Sequence, residues 1–112
     1  MNSRPIILVC LTTVSNQNQA REMARALLDQ RVAACVQIDG PIESHYRWQG
    51  EDCCESEFRL VIKTSVEQKD RLREFIRDVH PYDQPQIVTL ESVDVEAGYA
   101  AWVNEETTGR RV

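Results

Sequence analysis

The stretch Ile6-Ile7-Leu8-Val9-Cys10-Leu11 constrains the fold more than any other part of the chain. It is apolar at every position and rich in β-branched residues, so it reads as a strand over residues 6–12. Side chains alternate across a strand, which sends Ile6, Leu8 and Cys10 to one side and Ile7, Val9 and Leu11 to the other. A sheet with one solvated face would carry polar residues at every second position. This strand carries none, so both of its faces require cover.

The rest of the chain supplies cover for one face. Ala20, Met23, Ala24, Leu27 and Leu28 recur at the spacing of a single helical stripe, and Ser15 and Asn16 offer capping oxygens ahead of them. A helix is therefore expected over about 17–31. A second strand follows over 32–38. The Gly40-Pro41 pair interrupts it with a bend or bulge, and extended structure resumes over 44–48. Gln49-Gly50-Glu51-Asp52 reads as a hairpin turn. On the return strand Phe58, Leu60 and Ile62 alternate with Glu57, Arg59, Val61 and Lys63. Ser65-Val66-Glu67-Gln68 has the form of a capping box ahead of a second helix, with Leu72, Phe75, Ile76 and Val79 as its buried face and His80-Pro81 as its stop. A fourth strand is expected over 87–93. Asp94 is placed to cap a short last helix with Tyr99, Trp102 and Val103 on one face, and the tail from Thr107 reads as frayed.

The element order is βαββαβ plus a C-terminal helix, in one domain over residues 1–112. That is an α+β, ferredoxin-like sandwich: an antiparallel sheet with two helices on one face. The last helix is too short to cover the whole second face. A further copy of the same chain is the expected cover, rather than the C-terminal helix alone.

Composition narrows the function classes. Eighteen acidic residues against thirteen basic ones give a net charge of −5. No Lys/Arg run is available to displace counterions from phosphates, so nucleic acid is not an expected partner. No apolar run has the length to cross a bilayer, so membrane insertion is not expected. The N-terminus lacks a small-residue cleavage site after its short apolar run, which points to a cytoplasmic chain. Cys10, Cys35, Cys53 and Cys54 form no CxxC pair and are expected as thiols. No Ser/His/Asp order, GxSxG, P-loop or GxGxxG is present, so no catalysis is expected.

Several motifs occur together: Ala33-Ala34-Cys35-Val36, Tyr46-Arg47-Trp48-Gln49-Gly50, Glu55-Ser56-Glu57 leading into Ile62-Lys63-Thr64, His80-Pro81-Tyr82-Asp83-Gln84-Pro85-Gln86-Ile87, and Tyr99-Ala100-Ala101-Trp102-Val103. In this order and spacing the chain resembles the CutA divalent-cation-tolerance family from about Ile7 to Asn104. The resemblance implies a tight homotrimer of ferredoxin-like protomers, akin to the PII signalling proteins, with hairpin strands continuing the sheet into neighbours. It also implies binding of divalent metal ions, copper foremost, and a role in metal tolerance. Relatives in animals have been linked to anchoring of membrane proteins.

His80 is the leading metal-ligand candidate, because imidazole suits copper. Cys35 matches the family's cysteine; it reads either as a soft ligand for Cu(I) or as a small buried side chain. Copper ligands proposed for family members lie at positions held here by Thr12, Val79 and His80, so His80 alone retains a ligand. Glu57, Lys63 and Tyr82 match family positions lining a cleft between subunits, where a carboxylate, an ammonium and a phenol suit a small polar ligand. Trp48 and Trp102 are grouped with that cleft, where they read as packing anchors rather than as ligand platforms. His45, Cys53 and Cys54 lie near the hairpin turn, outside the family pattern. The alternative functions are a PII-like sensor of a small anion, using Lys63 and nearby arginines, and a trimeric scaffold that recruits another protein.

Overall fold

The computed structural model describes residues 4–108. Four strands form one antiparallel sheet: β1 (Leu8–Val14), β2 (Cys35–Trp48), β3 (Glu51–Thr64) and β4 (Val88–Glu91), in the spatial order β2-β3-β1-β4. Three α-helices accompany them: α1 (Gln17–Asp29), α2 (Lys69–Val79) and α3 (Ala97–Glu106). This is the βαββαβ arrangement with a C-terminal helix that the pattern of residues predicts.

Asn16 starts α1: its side chain accepts from the Gln19 backbone N–H at 2.8 Å, while the Gln19 side chain accepts from the Ser15 N–H at 3.2 Å. Ala20, Met23 and Leu27 of α1 and Leu72 and Ile76 of α2 then meet Cys10, Val14, Leu60 and Ile62 in the main core. Those four strand residues share one face of the sheet. Val79, expected in that core, is exposed at the end of α2.

Element ends shift by a few residues, β1 beginning at Leu8 rather than residue 6 and β4 spanning Val88–Glu91 rather than 87–93. Four further features differ from expectation, each for a local reason. The turn is shorter, with only Gln49 (φ 51°) and Gly50 (φ 82°) between β2 and β3. Positive φ at both central positions matches the right-handed twist of the flanking strands. The capping box does not form. A 3-10 turn (Val66–Gln68) precedes α2, and Ser65 makes no side-chain cap. Its hydroxyl accepts instead from Thr107 Oγ1 at 2.9 Å, and the Gln68 side-chain amide donates to the Thr107 carbonyl at 2.6 Å. Thr107 is thus buried rather than frayed, while Thr108 is exposed; the remaining part of the predicted tail, residues 109–112, lies outside the described residues. Finally, Glu96 rather than Asp94 caps α3, accepting from Gly98 N at 2.9 Å and Tyr99 N at 2.8 Å.

The predicted bend lies within β2. The pairing with β3 shifts register between Asp39 and Ile42, around a cis Gly40-Pro41 bond. Gly40 has φ 149°, and a Cβ there would lie 2.7 Å from the Phe58 ring. Beyond this bulge the β2–β3 ribbon continues as a two-stranded arm, because β1 pairs β3 only as far as Phe58.

The second face of the sheet is covered at one end. Ala100 and Val103 of α3 pack there with Ile7 and Ala34. Trp102, expected on that buried side, is 41% exposed, with its ring 5.7 Å from that of Tyr99. Further along the same face, Val9 and Leu11 pair with Leu90 and Val88, and Leu11 pairs with Val61. Leu90 is 51% exposed and Val88 44%. No helix among the described residues is long and apolar enough to cross a membrane.

Candidate functional site

After α2, the loop over residues 80–87 leaves the helix layer and passes the edge of β1 where β4 has not yet begun. His80 fixes this passage. Its Nδ1 accepts from the Tyr82 backbone N–H at 3.1 Å, so the proton of the neutral ring belongs on Nε2. Nε2 in turn donates to the Thr13 carbonyl at 2.9 Å and lies 3.1 Å from Thr12 Oγ1. Both ring nitrogens are engaged. Burial pushes the imidazole below its ordinary pKa; the Thr13 carbonyl and the Glu57 carboxylate partly oppose this.

Tyr82 then lies over the second face of the sheet. Its hydroxyl donates to Glu57 Oε2 at 2.7 Å, and its ring meets that of His80 edge-on at 4.8 Å. Burial, followed by the bond to Glu57, pushes the phenol up to about 12. Glu57 is only 8% exposed. Register explains its position: Phe58 packs into the helix-side core, so Glu57 takes the opposite face.

These residues form one wall of a cavity of about 610 Å³ between the ribbon arm and the loop. Glu57 and Tyr82 are joined there by Trp48, Tyr46, Glu55 and Asp83. Three carboxylates and two phenols suit a cation or a hydroxyl-rich ligand, and oppose an anion.

Of the five residues expected in a shared cleft, Glu57, Tyr82 and Trp48 meet here within one chain. Lys63 does not. It lies six residues along β3 from Glu57, roughly 20 Å away, and donates to the Gln37 side-chain carbonyl. Trp102 is on α3, beside Tyr99. His80 and Cys35 are also apart. Cys35 pairs with Lys63 and Lys63 with Val9, four residues along β1 from the carbonyl that His80 holds. That is roughly 13 Å along the strand. Cys35 lies instead near the Tyr99 hydroxyl, whose pKa is raised by burial and then by that thiol.

His45 and Cys54, which the sequence places near the hairpin turn as adventitious metal ligands at most, meet a third ligand that the sequence does not point to, Glu43. Glu43, His45 and Cys54 stand on the arm's other face, with ligand atoms all within 4.8 Å of one another. Placing the turn at Gln49 and Gly50 sets Cys54 opposite His45; the four-residue turn expected from the sequence concealed this pairing.

Sheet order and the helix pair together define a ferredoxin-like α+β domain, part of whose second sheet face is exposed in the single chain. A family model, "CutA1 divalent ion tolerance protein", matches residues 8–106. The chain belongs to this CutA1 family. It is 39% identical over 99 residues to the divalent-cation tolerance protein CutA of Thermus thermophilus, covering 88% of this chain and 96% of that protein. It is 35% identical over 101 residues to the mouse protein CutA, of which it spans 57%, with 90% of this chain covered. Among solved structures, that of the Thermus protein superposes with a TM-score of 0.86 at 39% identity, over 90% of this chain and 98% of the other. CutA from Synechococcus elongatus gives 0.87 at 36% identity, over 92% and 91%. These relatives are named for tolerance of divalent cations or simply as CutA.

Proposed function

We propose that the protein is a non-catalytic, cytoplasmic binder of divalent metal ions, copper foremost, and that it works as a homotrimer. The observation that carries the homotrimer in this reading is the uncovered part of the sheet's second face. Val88 and Leu90 are exposed beside half-buried Val9, Leu11 and Val61, at a site where α3 cannot reach. A contiguous apolar patch on a sheet marks an interaction surface. Two further copies of the chain are its occupants, because the long β2–β3 arm carries a free β2 edge that can pair with a neighbour. Family membership supports the metal role. Four unbridged cysteines fit a reducing compartment.

Within this reading His80 holds the loop, through Thr13 and Tyr82, and has no second ligand from Cys35 in its own chain. The acidic cavity favours a cationic ligand over the anion of a PII-like sensor. A native mass spectrum, taken metal-free and then with limiting copper, tests the proposal. Three-chain species that take up copper are expected. Single chains, or trimers that remain metal-free, contradict it. A His80→Ala variant that keeps the copper stoichiometry assigns His80 to the loop; loss of copper from it restores His80 as a ligand.

A further inference from the structure

The hairpin arm carries a second, chemically distinct feature. His45 and Cys54 are directly opposite one another in the β2–β3 ladder, and Glu43 is two residues before His45 on the same face. Backbone pairing therefore fixes all three side-chain origins. His45 Nε2 lies 2.9 Å from Glu43 Oε1 and 3.6 Å from Cys54 Sγ. Cys53, next in sequence, faces the other side with Tyr46, and its sulfur lies 3.8 Å from the Glu51 carbonyl.

We propose that Glu43, His45 and Cys54 form a three-ligand site for a borderline divalent cation of the Zn²⁺ class. The donor set is one thiolate, one imidazole and one carboxylate, all established zinc ligands. Tetrahedral zinc at ordinary bond lengths separates sulfur from nitrogen by about 3.6 Å and nitrogen from oxygen by about 3.4 Å. The sulfur–nitrogen separation already has this value. The nitrogen–oxygen pair opens by about 0.5 Å when the ion replaces the proton that His45 shares with Glu43. Glu43 and His45 are exposed on rotatable side chains, so the adjustment meets no packed neighbour. The fourth position falls to water. The same face holds an Arg47–Asp52 ion pair at 2.8 Å, which internally neutralises the nearest cation.

This site deepens the metal-binding reading and rests on it for its role in the protein. It adds a location and a metal class that the loop histidine does not supply. Thiolate ligation has its own spectroscopic signature, so the test uses Co²⁺ as a zinc substitute on the reduced full chain, followed by competition with Zn²⁺. We expect one Co²⁺ per chain with a near-ultraviolet thiolate-to-metal charge-transfer band, displaced by one Zn²⁺. Cys54→Ser abolishes the band. His45→Ala and Glu43→Gln each weaken Zn²⁺ binding by at least about tenfold. Cys53→Ser leaves the band and the affinity unchanged. A band that survives Cys54→Ser, or that is lost in Cys35→Ser, overturns the site. Copper uptake without any Zn²⁺ or Co²⁺ binding also overturns it, yet leaves the broader metal-binding proposal standing. Failure to bind any of these metals removes both.

Discussion

His80 joins two parts of the chain 67 residues apart: its Nε2 donates to the Thr13 carbonyl at 2.9 Å, while its Nδ1 receives the Tyr82 N–H. Protonation would place an Nδ1–H against that N–H, two donors facing each other. Burial is what holds the imidazole below its ordinary pKa of 6.5, and this clash of donors acts in the same direction. The unfolded chain therefore binds the proton more readily. The stabilisation is complete above about pH 6.5. It declines as pH falls through that value towards the folded-state pKa. Urea midpoints of the wild type are expected to drop between pH 7 and pH 5.5, and His80→Gln to flatten that part of the profile. An unchanged slope in the variant contradicts the assignment.

Tyr82 and Glu57 make a charge-assisted bond within the cavity. Tyr82→Phe leaves a buried carboxylate without its donor and is expected to cost about 1–3 kcal/mol of stability in denaturant unfolding. The same variant removes the phenol that ionises near 12. Alkaline ultraviolet titration should therefore lose its last tyrosine step, leaving those of Tyr46 and Tyr99.

Gly40 is required by both its backbone angle and the ring beside it. Gly40→Ala forces φ 149° on a residue with a Cβ and drives that carbon towards Phe58, 2.7 Å away. A loss of about 1–3 kcal/mol is expected. Thermal unfolding compared with an exposed Gly50→Asn control, where nothing lies within 4 Å of the added carbon and Asn accepts positive φ, measures it.

Thr107 ties α3 to the start of α2 through Ser65. Thr107→Val keeps the shape and removes the hydroxyl, so the expected cost is about 1–3 kcal/mol. Hydrogen exchange should show the loss first in α3. Equal protection of α3 in both proteins contradicts this coupling.

The parts legible from sequence were those governed by neighbours in the chain. Phe58, Leu60 and Ile62 alternate as a half-buried strand must, Asn16 announces α1, and Gly40-Pro41 announces the bulge. Long-range partners were not legible. Ser65 and Gln68 read as a local cap because Thr107, which engages both, lies about forty residues away. The cavity was half legible. Glu57, Tyr82 and Trp48 were expected in one cleft, whereas Tyr46 and Glu55, though part of the same motifs, take their places in it only through the register. The Glu43–His45–Cys54 cluster depends on a turn of two residues rather than four, and a shift of that size changes every opposing pair.

In the proposed homotrimer, Val88, Leu90 and their neighbours are covered by further copies of the chain. Sedimentation velocity on a dilution series tests it most directly, with Leu90→Lys alongside the wild type. A species of three chain masses is expected for the wild type down to low concentration, and single chains for the variant. A wild type that sediments as a well-folded single chain at all concentrations would contradict the account.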